Sequence, residues 1–273
     1  MSTDFIFEII SSLVIMAEGK GEKTGTKPRM LEVVKPYVTI FFAELIGTMI
    51  LLFVGCGSTI DFSDDPVVPH HLKGMGFGLT VLLAIQIFGH ISACHMNPVV
   101  SIISLLLGFI NIIQFVVYLL AEFLGSLLGF WLLKVLFPER YTPSGFCMTK
   151  IADEVTVTQA FFIELIITCI LCLVVCSVWD HRNASNGDST AIRFGFVVTI
   201  LSIMAGTLTG ASMNTARSFG PAVFGSLSDW KDQWIYWIAP NISPFLSVGL
   251  YKVFFAASKE EVTHSSENMR NTR

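Results

Sequence analysis

Two asparagines in very apolar surroundings hold the chemistry of this chain. Asn97 lies in HMNPVVS (residues 95–101) and Asn214 in SMNTARS (residues 212–218), 117 positions apart. Asn is a favoured helix N-cap and Pro a favoured first helical residue. Asn97-Pro98-Val99 therefore reads as a helix start, and Asn214-Thr215-Ala216 as a second. A helix start presents unpaired amide N–H groups and the positive end of the helix dipole, and each Asn adds a side-chain amide donor. Such a site suits a neutral molecule with an oxygen acceptor and opposes a cation or a hopping proton. Arg217, three residues beyond Asn214, adds a charge that cannot be lost. An arginine at membrane depth is costly and marks a functional position.

The composition sets these residues in a bilayer. The chain has 273 residues, 53% hydrophobic and 14% charged, with a mean hydropathy of +0.67. A soluble domain carries about a quarter charged residues. The formal charge of −4 has no basic block behind it, so nucleic acid is not an expected partner. No nucleophile–base pair and no metal-ligating cluster converges, so neither an enzyme nor a cofactor is expected. A coupled transporter would want an ionisable site beside the Asn segments, and Arg217 cannot serve as one. The six cysteines are not read as a disulfide framework: Cys56, Cys169, Cys172 and Cys176 lie in apolar runs, Cys94 sits beside Asn97, and only Cys147 falls in a loop. His90 and the pair His70-His71 fit no pattern that assigns them a role.

About 20 apolar residues cross a bilayer. Six stretches suffice, at roughly 37–60, 72–91, 111–136, 158–179, 191–210 and 233–256. The two Asn segments fall between spans two and three and between spans five and six. Each is followed by about ten apolar residues, too few to span. They read as re-entrant half-helices, which are tolerated where buried in protein or lining water. The expected organisation is an N-terminal segment 1–36, a channel domain 37–256 and a tail 257–273. Residues 5–17 are apolar but too short to cross. Lys20, Lys23, Lys27, Arg29 and Lys35 precede span one, whereas Asp61, Asp64 and Asp65 follow it. The positive-inside rule then puts both termini in the cytosol.

The halves repeat. AELIGT (43–48) resembles IELIIT (163–168), matching Glu44 and Thr48 to Glu164 and Thr168. GFGLTVLL (76–83) resembles GFVVTILS (195–202), and the Asn segments complete the set. Three crossings per half make the repeat inverted, with its special site near the midplane between halves. The half-helices then enter from opposite faces and meet N-terminus to N-terminus. The two-fold relation sets Cys94, three before Asn97, opposite Ala211, three before Asn214, and so on the pore wall. His95 is expected to line the same half.

At this point GHISACHMNPVVS and GASMNTARSFGPAV identify a resemblance to the aquaporin (major intrinsic protein) family, over roughly residues 36–256. The resemblance implies an all-α membrane protein of six transmembrane helices and two half-helices. It also implies a homotetramer in the cell membrane passing water and small neutral solutes. The family's paired motif is Asn-Pro-Ala; here Val99 and Thr215 depart from it. Thr215 lacks the ring that presets the first helical dihedral, and its hydroxyl is expected to bond locally and hold Asn214 less firmly. The family's outer constriction carries over to Phe77, Ser202, Ala211 and Arg217. Strict water channels have His where this chain has Ser202, so a wider opening suited to glycerol or urea is implied, as in the insect entomoglyceroporin branch. Ser218, Ala222, Tyr236 and Trp237 instead resemble the water-channel type. Glu44 and Glu164 are implied to accept hydrogen bonds from the re-entrant loops.

Overall fold

The computed structural model describes residues 30–62, 69–226 and 230–256. Among them are eight α-helices and no strand. They are α1 (Met30–Gly57), α2 (His70–Ser92), α3 (Pro98–Leu106), α4 (Ile112–Leu136), α5 (Val157–Val178), α6 (Thr190–Thr209), α7 (Thr215–Val223) and α8 (Trp234–Phe254). Five of the long segments are apolar and long enough to cross a membrane by length and composition. The sixth, α8, has 21 residues and two internal prolines, Pro240 and Pro244. α3 and α7, nine residues each, are the expected half-helices. The boundaries agree with the sequence reading except at α1, which begins at Met30 instead of residue 37. The apolar segment 5–17, most of the basic residues before span one and the tail beyond residue 256 lie outside the described residues.

The packing follows the repeat. α1 lies against α4 in the first half, as α5 lies against α8 in the second, and α2 meets α6 between halves. Close approach depends on missing side chains. A Cβ at Gly125 would stand 2.3 Å from the Leu45 carbonyl oxygen, and one at Gly78 2.3 Å from that of Gly195. Lipid supplies no hydrophobic drive between helices, so such small-residue seams supply the association. The half-helices cross over: α3 packs on α8 and α7 on α4. Large apolar side chains such as Leu79, Leu83, Phe196 and Ile200 face outward.

Where α5 ends, a polar clamp joins it to α8. The Asp180 carboxylate accepts from Arg182 at 2.7 and 2.9 Å and from the Tyr251 hydroxyl at 2.9 Å. The Arg182 partner holds the Asp180 carboxyl well below the usual carboxylate range.

One expectation is corrected here. Cys56 and Cys147 form a disulfide, 91 positions apart, with Cα atoms 5.7 Å from each other. Cys56 sits at the last turn of α1, and the loop after α4 folds back over that end. An apolar run hides where along a helix a residue comes to rest.

Candidate functional site

The site begins with two buried carboxylates. Glu44 on α1 accepts from the Ser92 hydroxyl at 2.6 Å and from the His95 and Met96 amides at 2.9 and 2.7 Å. Glu164 on α5 accepts from the Thr209 hydroxyl at 2.6 Å and from the Ser212 and Met213 amides at 2.9 and 3.1 Å. Each donor in one set lies 117 positions from its counterpart in the other. The carboxylates hold the chain in a conformation it would otherwise avoid. Ala93, Cys94 and Met96 have φ of 62°, 51° and 52°, and Ala211 and Met213 have 45° and 50°. Left-handed backbone at a non-glycine residue costs about 1–3 kcal/mol and persists where the surroundings over-determine it. Glu44 and Glu164 supply that determination.

The strained loops deliver both asparagines to one place. Asn97 caps α3 with φ −158° and ψ 118°, and its Oδ1 accepts from the Val99 amide. Asn214 caps α7 with φ −159° and ψ 108°, and its Oδ1 accepts from the Arg217 amide. Their amide groups then cross: Asn97 Nδ2 donates to the Met213 carbonyl at 2.9 Å and Asn214 Nδ2 to the Met96 carbonyl at 2.8 Å. Each Nδ2 retains a second hydrogen, and both asparagines line the same cavity. Pro98, Val99, Thr215 and Ala216 are buried within the half-helices. Thr215 does not bond locally. Its hydroxyl donates to the Tyr236 carbonyl at 3.1 Å and accepts from Asn241 Nδ2 at 2.7 Å, both on α8. The two Asn residues share one backbone conformation.

The cavity, about 370 Å³, runs through the protein. At one end it is lined by Thr59, His70 and Cys147, in the middle by Asn97 and Asn214, and at the other end by Trp179, Thr190 and Phe194. Phe77, Ser202, Ala211 and Arg217 all lie on it, in the half that ends at Cys147. Arg217 Cζ stands 4.5 Å from the centre of the Phe77 ring, and Arg217 Nη1 donates to the Cys147 carbonyl at 2.8 Å. The disulfide thus fixes the residue that fixes the arginine. Ser218 joins Thr149 and Ser212 in a hydroxyl chain of 2.9 and 2.6 Å, and the Tyr236 hydroxyl donates to the Thr209 carbonyl at 2.7 Å.

In the other half, His95 Nδ1 bonds Ser101 Oγ at 2.9 Å, and the Ser101 hydroxyl donates to Glu122 at 2.7 Å. That direction makes His95 Nδ1 the protonated nitrogen. Its ring stacks on Tyr118 with centroids 4.2 Å apart. Cys94 lines the cavity, but its Sγ packs at Gly47 of α1, 3.3 Å from where a Cβ there would stand. The Cys94 thiol thus lies beside α1. Glu122 and Asn241 were not singled out in the sequence, and Cys147 and His70 were noted there without a role at the cavity. Glu122 had a signal, since an acid in an apolar span is a functional candidate by default. The rest act through partners remote in sequence.

Comparison with known proteins agrees with this architecture. The family described as Major intrinsic protein matches residues 32–251. Aquaporin-4 of Mus musculus is 35% identical over 221 residues, covering 80% of this chain and 68% of its own. Aquaporin-8 of Mus musculus is 33% identical over 216 residues, covering 78% and 80%. Among solved structures, the aquaglyceroporin from Plasmodium falciparum superimposes with a TM-score of 0.70 at 25% identity, over 79% of this chain and 95% of that one. The family match agrees with the two opposed half-helices, the paired Asn caps and the cavity between them: the chain belongs to the major intrinsic protein family.

Proposed function

We propose that the protein is a passive membrane channel for water and for small neutral solutes such as glycerol and urea, closed to protons and ions. The observation that supports this reading best is the cavity running past Asn97 and Asn214 from one side of the helix bundle to the other. Two half-helix N-termini, each equivalent to roughly half a positive charge, converge there with Arg217. A hydroxyl or water oxygen accepts from the Asn amides, and a cation is repelled. Ser202 and Ala211 leave room beside Phe77, so a carbon backbone can lie on the ring while hydroxyls reach Arg217. This assigns the chain to a solute-conducting type, nearest the insect entomoglyceroporin branch. Ser218 and Tyr236 favour a water-selective type as the second reading.

The reading extends to setting. The channel works as a homotetramer in the cell membrane with both termini cytosolic, and the mouth at Arg217 faces outward. The basic residues before α1 support that orientation. The disulfide at that mouth adds support, because disulfides persist in oxidising compartments. The test is stopped-flow light scattering on proteoliposomes under water, glycerol and urea gradients. Flux of all three, linear in solute concentration, is expected. Saturating flux would indicate a carrier, and water flux alone would establish the second reading.

A further inference from the structure

Ser202 leaves a gap in the outer constriction, and the structure fills part of it from another helix. His70 opens α2, two turns before Phe77 on the same face. Its imidazole crosses to α6. Nε2 lies 3.2 Å from the Ser202 carbonyl oxygen. A carbonyl only accepts, so Nε2 bears the proton and donates. The ring then rests in a notch that exists because residue 206 is glycine. A Cβ on Gly206 would stand 2.4 Å from His70 Cε1 and 2.7 Å from Nε2. Gly206 is one helical turn beyond Ser202 toward the mouth, and His70, Ser202 and Gly206 all line the channel cavity with Arg217.

We infer that His70 is a specificity-determining residue: its ring, seated on Gly206 and Ser202, forms a second tier of the outer constriction and sets the upper size of solute admitted. Ser202 opens the tier beside Phe77 and Ala211 to a polyol. His70 narrows the tier above it, so the widened filter still stops short of longer polyols. Its donor is held by the Ser202 carbonyl, which fixes the ring as a wall. The inference rests on the channel reading above.

The experiment is a polyol series, glycerol, erythritol and xylitol, with water as reference, on the full chain in proteoliposomes. His70→Ala is expected to raise erythritol and xylitol permeability relative to water by about threefold or more, with water changed less than twofold. Gly206→Ala evicts the ring and is expected to change the erythritol-to-water ratio in wild type but not in a His70→Ala background, where no ring remains to evict. That dependence on His70 is a readout that general misfolding does not give. An unchanged polyol ratio in His70→Ala, or an equal effect of Gly206→Ala in both backgrounds, would overturn the assignment of His70 while leaving the channel reading intact. A wild type that passes neither water nor glycerol would overturn the channel reading instead.

Discussion

Asn97 and Asn214 share one backbone conformation although proline follows the first and threonine the second. Thr215 reaches it by bonding outward to Tyr236 and Asn241, where Pro98 reaches it through its ring. Thr215→Val keeps the shape and removes both bonds. Each is worth about 0.5–1.5 kcal/mol, so stability is expected to fall by roughly 1–3 kcal/mol, with water permeability within about twofold of wild type. A collapse of water flux without loss of stability would show that the hydroxyl serves conduction directly. In the proposed channel Arg217 acts by charge as well as by size. Arg217→Val removes the fixed cation beside Phe77, and a small proton or sodium current is expected in voltage-clamped membranes where wild type gives none. Robust current through wild type would contradict the electrostatic barrier.

At the scale of elements, the half-helices owe their placement to Glu44 and Glu164, each fixing a loop of left-handed residues. The elements themselves were legible because length and hydropathy decide them: a run near 20 residues spans, a run near ten cannot. The caps were legible because Asn before an apolar stretch has one common use. The left-handed residues at Ala93, Cys94, Met96, Ala211 and Met213 were not, since only Gly210 among the matched positions signals such a backbone in sequence. The clamp joining α5 to α8 gives a pH-dependent consequence outside the bilayer. Asp180 titrates below its unfolded value, so its contribution is complete above the usual carboxylate range and is lost only as pH falls through the depressed value. Asp180→Asn is expected to lower Tm by a constant amount from pH 8 to about pH 5, with the gap closing under stronger acid. A gap that widens on acidification would contradict the clamp.

For the whole molecule, the inverted repeat was readable from Glu44/Thr48 and Glu164/Thr168, and the structure carries that relation through the packing. The repeat sets Cys94 opposite Ala211, and both line the cavity, with Cys94 Sγ close to Gly47 of α1. What breaks the symmetry was invisible for the same reason the disulfide was. The partnerships of Cys56 with Cys147, Arg217 with the Cys147 carbonyl, and His70 with Ser202 join remote residues and leave no period in the sequence. Reduction of the Cys56–Cys147 bridge, or Cys56→Ser, is expected to cost about 2–4 kcal/mol of stability. It should also shift the glycerol-to-water ratio through release of Arg217, and Cys56→Ser should then be indifferent to reductant. Equal sensitivity of wild type and mutant would place the effect elsewhere. In the proposed channel Ser202 makes the constriction wide enough for a polyol. The most direct measurement is the glycerol-to-water permeability ratio of wild type and Ser202→His in matched proteoliposomes. Measurable glycerol flux in wild type is expected, falling about tenfold in Ser202→His while water falls less than threefold. A wild type that excludes glycerol, or a mutant that loses both fluxes equally, would contradict it.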